Sequence, residues 1–211
     1  MKRKTRFSGV AKAPAAPDVT QVIGRTILKM RKDRGMTLDE LAGLTGFSKS
    51  YLSKIENLLS VPPIGTLSKI AQAFACDLGH LLRSDNGSSE DSVSVVHVRE
   101  RQAAVRGGTA FGYDYASLAH NRRNKRMEPF TFTFPAKIDV DSFFEHEGEE
   151  FIFLLRGKAE FETRRNGVVE KWILEPGDGL YLDSSVPHRG RSLGGEAEAV
   201  VVIYQPKSGK K

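Results

Sequence analysis

The 211 residues read as two domains of opposite class, an all-α unit followed by an all-β unit, and three observations carry that reading. The first is a change of period. From Asp18 to Arg83 apolar residues recur at helical spacing, with Val19, Ile23, Ile27 and Met30 in one stripe and Leu67, Ile70, Ala71 and Phe74 in another. Further on the period falls to two, in SVVHV, FTFTF, FIFLL, KAEFET, GLYLD and AVVVIY, with Gly, Pro, Asn and Asp between the runs. Many short strands joined in this way build a sandwich or a barrel. The second observation is SDNGSSEDS at 84–92, which has no apolar anchor and reads as a flexible linker. The third is charge: residues 1–84 hold 14 Lys and Arg against 6 Asp and Glu, whereas residues 85–211 hold 18 against 20. A small basic half is the electrostatic footprint of a polyanion binder. The expected organisation is a disordered basic tail (1–17), a helical domain (18–83), a linker (84–94), a strand-rich domain (95–206) and a fraying end (207–211).

Composition narrows the class. Apolar residues make up 39% and charged residues 27%, ordinary for a globular chain. No window approaches the roughly 18 consecutive apolar residues of a membrane span. The basic opening MKRKTRFSGVAKAPAAP has no apolar run of about 7 to 15 residues behind it, so secretion by a signal peptide is disfavoured and a cytoplasmic location expected. The single cysteine, Cys76, has no internal partner and reads as a small buried hydrophobe.

Within the helical half, Thr37 and Glu40 have the T-x-x-E spacing in which each side chain satisfies the other residue's backbone donor, so a helix starts at Leu38. Gly46 ends it, because glycine tolerates the left-handed conformation of a tight turn, and Ser48 caps a second helix over SKSYLSKIEN. That helix hides Leu52, Ile55 and Leu59 and turns Lys49, Ser50, Ser53 and Lys54 outward. TLDELAGLTGFSKSYLSKIEN followed by PPIGTLSKIAQAF resembles the helix-turn-helix of the lambda-repressor-like (XRE) family over Val19 to Leu82. The resemblance implies five helices, the third entering the major groove of an operator as part of a two-fold dimer. It implies that Lys49, Ser50 and Lys54 approach base edges and that Thr37, Ser48, Ser53 and Asn57 bind phosphates. It makes Arg31 and Glu56 a structural ion pair. Leu58 departs from the pattern, standing where glycine is usual, and Leu38 replaces a common polar phosphate contact.

In the strand-rich half, His146-Glu-Gly-Glu-Glu150 precedes FIFLLRG, which places Ile152, Leu154 and Arg156 on the face of Glu150 and Phe151, Phe153 and Leu155 on the other; one face lines the interior. A second stretch runs from Glu175-Pro-Gly-Asp178 through GLYLDSSVPHRG to His188. These stretches resemble the two motifs of the cupin family, a double-stranded β-helix or jelly-roll barrel, over roughly Met127 to Gln205. The resemblance implies a pocket at His146, Glu150 and His188, with Phe144 where a further histidine ligand would stand. Two imidazoles and a carboxylate suit zinc, iron or manganese, and two readings stay open: an incomplete site holding a divalent metal, or a vestigial one whose side chains bind each other or an organic effector.

Other features are weaker. HNRRNKR (120–126) reads as a solvated basic loop or an anion grip, Phe130, Phe132 and Phe134 as core, and Trp172 as sandwich filling or a cavity wall. His80, His97 and His120 have no partners at ligand spacing. The two resemblances together imply a transcriptional regulator that binds double-stranded DNA as a homodimer and senses a small-molecule effector, with no catalytic residues. The competing reading is a cupin dioxygenase, isomerase or lyase fused to a DNA-binding domain, with Glu149 as its proton-transfer candidate. A third is a DNA-binding scaffold with an inert barrel.

Overall fold

The computed structural model describes residues 19–82, 92–105, 112–122, 125–138 and 143–206; the expectations for 1–17, for 84–91 of the linker and for 207–211 lie outside them. The helical head holds α1 (Val19–Asp33), α2 (Leu38–Thr45), α3 (Lys49–Glu56), α4 (Ile64–Ala73) and α5 (Leu78–Leu82). None is long and apolar enough to cross a membrane.

Local chemistry sets the boundaries. Glu40 N–H donates to the Thr37 hydroxyl and Thr37 N–H to the Glu40 carboxylate, so both orphan donors at the start of α2 are satisfied. Gly46 closes α2 at φ 75°, and the Ser48 hydroxyl accepts from Tyr51 N–H to open α3. Leu58, two residues past α3, sits at φ 63°, the left-handed conformation that explains the family's preference for glycine there. Leu52 and Ile55 are buried as expected, but Leu59 is 76% exposed, because the chain has left the helix and α3's apolar stripe ends at Ile55.

The barrel comprises β1 (Gln102–Val105), β2 (Asp114–Ser117), β3 (Met127–Phe134), β4 (Glu149–Arg156), β5 (Ala159–Arg165), β6 (Val168–Leu174), β7 (Gly179–Asp183), β8 (His188–Ser192) and β9 (Ala197–Tyr204). They form a six-stranded sheet, ordered β1-β2-β3-β9-β4-β7, and a three-stranded sheet, β6-β5-β8. Register decides the inner face. Pairing of Glu150 with Ile203 and Ile152 with Val201 turns Glu150, Ile152 and Leu154 inward, and leaves Phe151, Phe153 and Leu155 partly exposed outside. Phe130, Phe132 and Phe134 line the same core. Gly190 on β8 is required by packing, since a Cβ there would lie 2.8 Å from the Phe134 ring and 3.0 Å from the Phe161 ring.

Three strand-half expectations change. SVVHV forms no strand: Val95 and Val98 are exposed, and Val98 opens a short 3-10 turn. Trp172 lies 40% exposed on β6, an outer strand of its sheet with only Leu174 buried, so it does not fill the sandwich. Lys125, within the basic run, is not solvated; its ammonium lies 3.0 Å from the Glu128 carboxylate and both side chains are buried.

Head and barrel are in contact. Gly79 N–H donates to Glu128 Oε1 at 3.0 Å, the Tyr115 hydroxyl to the Pro62 carbonyl at 3.3 Å, and the Gln205 amide to Ser68. Lys69 pairs with Glu145 at 3.2 Å. A Cβ on Gly79 would sit 2.6 Å from Glu128 Oε1 and 2.7 Å from Lys125 Nζ, so this seam accepts only glycine without rearrangement. Because α4 lies between the head's core and the barrel, Ile64 through Ser68 are all buried, including polar Thr66 and Ser68.

Candidate functional site

On the head, α3 buries Leu52, Ile55 and Glu56 and exposes Lys49, Ser50 and Lys54. Arg31 anchors its inner end: Nε and Nη2 donate to the two Glu56 oxygens at 2.6 and 2.8 Å, and Nη1 donates to the Met36 carbonyl. The Glu56 partner raises the Arg31 pKa despite burial. The bidentate fork ties α1, the α1–α2 turn and α3 together. Among the residues matched to phosphates, Thr37 and Ser48 are already helix caps and the Asn57 amide donates to Ser53. Lys49 reaches Asp39 on α2 at 2.7 Å, an exposed pair that a phosphate or base must compete with.

Inside the barrel, β4 delivers Glu150, the loop before it His146, and the start of β8 His188. His146 Nε2 lies 2.6 Å and His188 Nε2 3.8 Å from Glu150 Oε1, and all three side chains are buried. The ligand-capable atoms lie within 4.8 Å of one another, so this set can hold a metal ion. The tautomers follow from the neighbours. His146 Nδ1 faces the Glu147 carbonyl at 3.1 Å and His188 Nδ1 the Val186 carbonyl at 2.8 Å; a carbonyl only accepts, so both Nδ1 atoms carry hydrogen and both Nε2 atoms turn to Glu150. That is the second sphere of a metal-ligating histidine, and the donor set fits a divalent ion.

The same contacts set the charges. Burial opposes the charged form of His146, but its hydrogen bond to Glu150 overcomes this and raises its pKa. Burial pushes Glu150 up, and His188 and His146 pull it down further, leaving it below the usual carboxylate range. Burial dominates at His188, which is lowered despite Glu150. At 2.6 Å the His146 Nε2–Glu150 Oε1 contact is a hydrogen bond with one proton between the two atoms, whereas His188 Nε2, at 3.8 Å, makes none with Glu150.

Aromatic side chains complete the site. Phe161 stacks on His188 with centroids 6.1 Å apart, and the Phe144 and Tyr113 rings meet edge to face at 5.8 Å. The Tyr113 hydroxyl donates to the Gly190 carbonyl, and burial raises its pKa. The cavity measures about 40 Å³, is partly open, and is bounded in part by Pro63, Ile64 and Gly65 of the head, a wall that sequence reasoning missed. No spacing signals that wall, because Thr66, Ser68, Lys69 and Gln72 give α4 an ordinary polar share. Glu149 lies outside the cavity, on the outer face, where it accepts from the Tyr181 hydroxyl; it is not placed to transfer a proton in the pocket.

A capped helix pair exposing a cationic second helix, seated on a barrel with an interior His–Glu–His set, defines a two-domain regulator with a helix-turn-helix head and a cupin body. Residues 27–81 match the helix-turn-helix family and residues 130–204 the cupin domain family. The chain belongs to the HTH-type transcriptional regulators. It is 34% identical over 57 residues to the uncharacterized HTH-type transcriptional regulator y4dJ of Sinorhizobium fredii, covering 27% of this chain and 74% of that one. It is 23% identical over 166 residues to the HTH-type transcriptional regulator PuuR of Escherichia coli, covering 78% and 84%. A crystal structure of an HTH_3 family transcriptional regulator from Vibrio cholerae shares the fold at TM-score 0.63 and 23% identity, over 89% of this chain and 97% of that one.

Proposed function

We propose that this regulator is a cytoplasmic homodimer in which α3 of each head reads a duplex operator and the barrel pocket binds a small effector. In this reading the head spans 18–83, the linker 84–94 and the barrel 95–206. Lys49, Ser50 and Lys54 contact bases; Thr37, Ser48, Ser53 and Asn57 contact phosphates. The observation that carries it is the two-faced α3, anchored from behind by Arg31 and Glu56 and cationic in front. Selection of bound duplexes from a random pool tests it. Lys54→Ala should lose affinity for the selected site while keeping salt-sensitive attachment to unrelated duplex, and unchanged preference would refute the base-reading role.

In the barrel, His146, Glu150 and His188 are the proposed pocket, able to hold zinc, iron or manganese. A bound ion would offer a Lewis-acidic position to the effector. Binding is favoured over turnover because the walls between the three ligand-type residues are mostly aromatic and aliphatic, and Tyr113 is engaged by Gly190. For the dimer, the support is the partly exposed row Phe151, Phe153, Leu155 and Tyr181 on the outer sheet face.

A further inference from the structure

We infer that one wall of the barrel pocket is the DNA-binding head itself, so that an occupant too large for the cavity and growing toward that wall displaces the head, linking pocket occupancy to head position. The inference rests on reading the pocket as an effector site and adds how that site is regulated.

The argument is one of volume and fit. With the head seated, the cavity measures about 40 Å³. That is room for a metal ion with a water or two, far short of the several hundred Å³ that an organic ligand usually occupies. The floor of the barrel cannot yield the difference, because Phe132, Phe134, Phe161 and Ile152 belong to its packed core. Opposite the floor lie the half-buried Phe144 and Arg189 and, from the head, the start of α4. That helix start has no slack: a Cβ on Gly65 would lie 3.3 Å from Phe144 Cβ and 3.4 Å from His146 Cδ2. Enlargement toward the head therefore means moving α4, and α4 moves with the head because Leu67, Ile70 and Ala71 are buried and the helix packs on α2 and α5.

The seat combines apolar packing with polar contacts. Between head and barrel the polar contacts include the Lys69–Glu145 pair and the Gln205–Ser68 hydrogen bond at a part-exposed rim, and the buried Tyr115–Pro62 and Gly79–Glu128 hydrogen bonds. Phe144, which stands where the family's further histidine would be, occupies the contact line between Gly65 and Tyr113. This position thus serves the seal instead of the ligand set. By linkage, whatever biases the head biases the pocket equally.

The test is a thiol reporter in the full chain: Val201→Cys, which lines the cavity, in a Cys76→Ser background, modified by a maleimide. Gly65→Leu should wedge the head off and speed labelling at least tenfold. Lys69→Glu, which sets like charges against Glu145, should speed it about threefold, and Lys69→Glu with Glu145→Lys should restore the slow rate. Should Gly65→Leu fail to fold, the charge swap alone decides. Equal rates across the series, or a parent thiol as reactive as one on the surface, would overturn the lid. Mixed-sequence duplex DNA at low salt should change the parent's rate; no change would refute the link to the head. The effector-site reading is scored separately by Co²⁺ alone, whose visible absorption on ligation should be lost in His188→Ala, so either reading can fail without the other.

Discussion

Removing the Glu56 carboxylate should cost the head about 3 to 5 kcal/mol, the cost of stranding a buried guanidinium without its counter-ion. The geometry places the pair at the expensive end. Both Arg31–Glu56 hydrogen bonds are 2.8 Å or shorter, and the side chains are only 13% and 4% exposed, so water cannot replace the lost partner. The Met36 carbonyl takes one further donor of Arg31, so in Glu56→Ala the two donors that bonded Glu56 lose their acceptors. Glu56→Gln should lie between, keeping one acceptor oxygen but no charge. Arg31→Met with Glu56→Leu should recover most of the loss, since an apolar pair of similar volume removes both desolvation costs. Urea titrations followed by circular dichroism at the helical band give the four stabilities. Below the melting transition, duplex affinity should be unchanged in every variant, because both residues face away from the exposed side of α3. If Glu56→Ala loses under 1 kcal/mol, or if the double replacement is no better than the single one, the pair does not anchor α3.

Lys49→Ala should weaken the selected operator by about 1 to 3 kcal/mol in gel shifts if it makes a base contact. Asp39→Asn should instead tighten duplex binding by up to about fivefold, because an exposed pair worth about 1 kcal/mol or less no longer competes for Lys49. In chelator, the pocket should confer a pH window of barrel stability. The raised His146 contributes fully below its unfolded value near 6.5 and loses this as pH rises through its folded value. The lowered Glu150 contributes above its unfolded value near 4.3 and loses this as pH falls through its folded one. Melting curves of His146→Gln should lack the alkaline limb, and an unaltered profile would refute the proton assignment. Metal must displace that proton, so Co²⁺ affinity should rise by about tenfold per pH unit until His146 is neutral, as read by titration. Gly190→Ala should cost about 1 to 3 kcal/mol in thermal melts through its clash with Phe134 and Phe161.

Much of the head was legible because its determinants are local. A capping box spans four residues, a left-handed glycine one, and the α3 stripe repeats within two turns, so Thr37, Glu40, Gly46 and Ser48 announce themselves in a short window. The strands β3, β4, β5, β7 and β9 were visible through alternation, whereas β1, β2, β6 and β8 were not: QAAV, DYAS and HRGRS carry few large apolar residues. Glu160 and Glu162 illustrate the limit. Both are buried on β5, where Arg191, Arg189 and Lys171 from the flanking strands cover and pair with them, and no spacing along one strand reveals that cover.

What the residues determined is the pair of fold classes and the turn-bounded cationic helix, while His146, Glu150 and His188 were named together through the resemblance to the cupin motifs. Each depends on backbone periodicity, capping chemistry or motif spacing, which act over a few neighbours. Only the tertiary structure decided which face of β4 looks inward, which histidine shares a proton with Glu150, and that Pro63, Ile64 and Gly65 shut the pocket. The inward face and the shut pocket arise where segments distant in sequence meet, the choice of histidine rests on contacts of 2.6 and 3.8 Å, and burial and hydrogen bonding depend on distances in space that sequence order does not record.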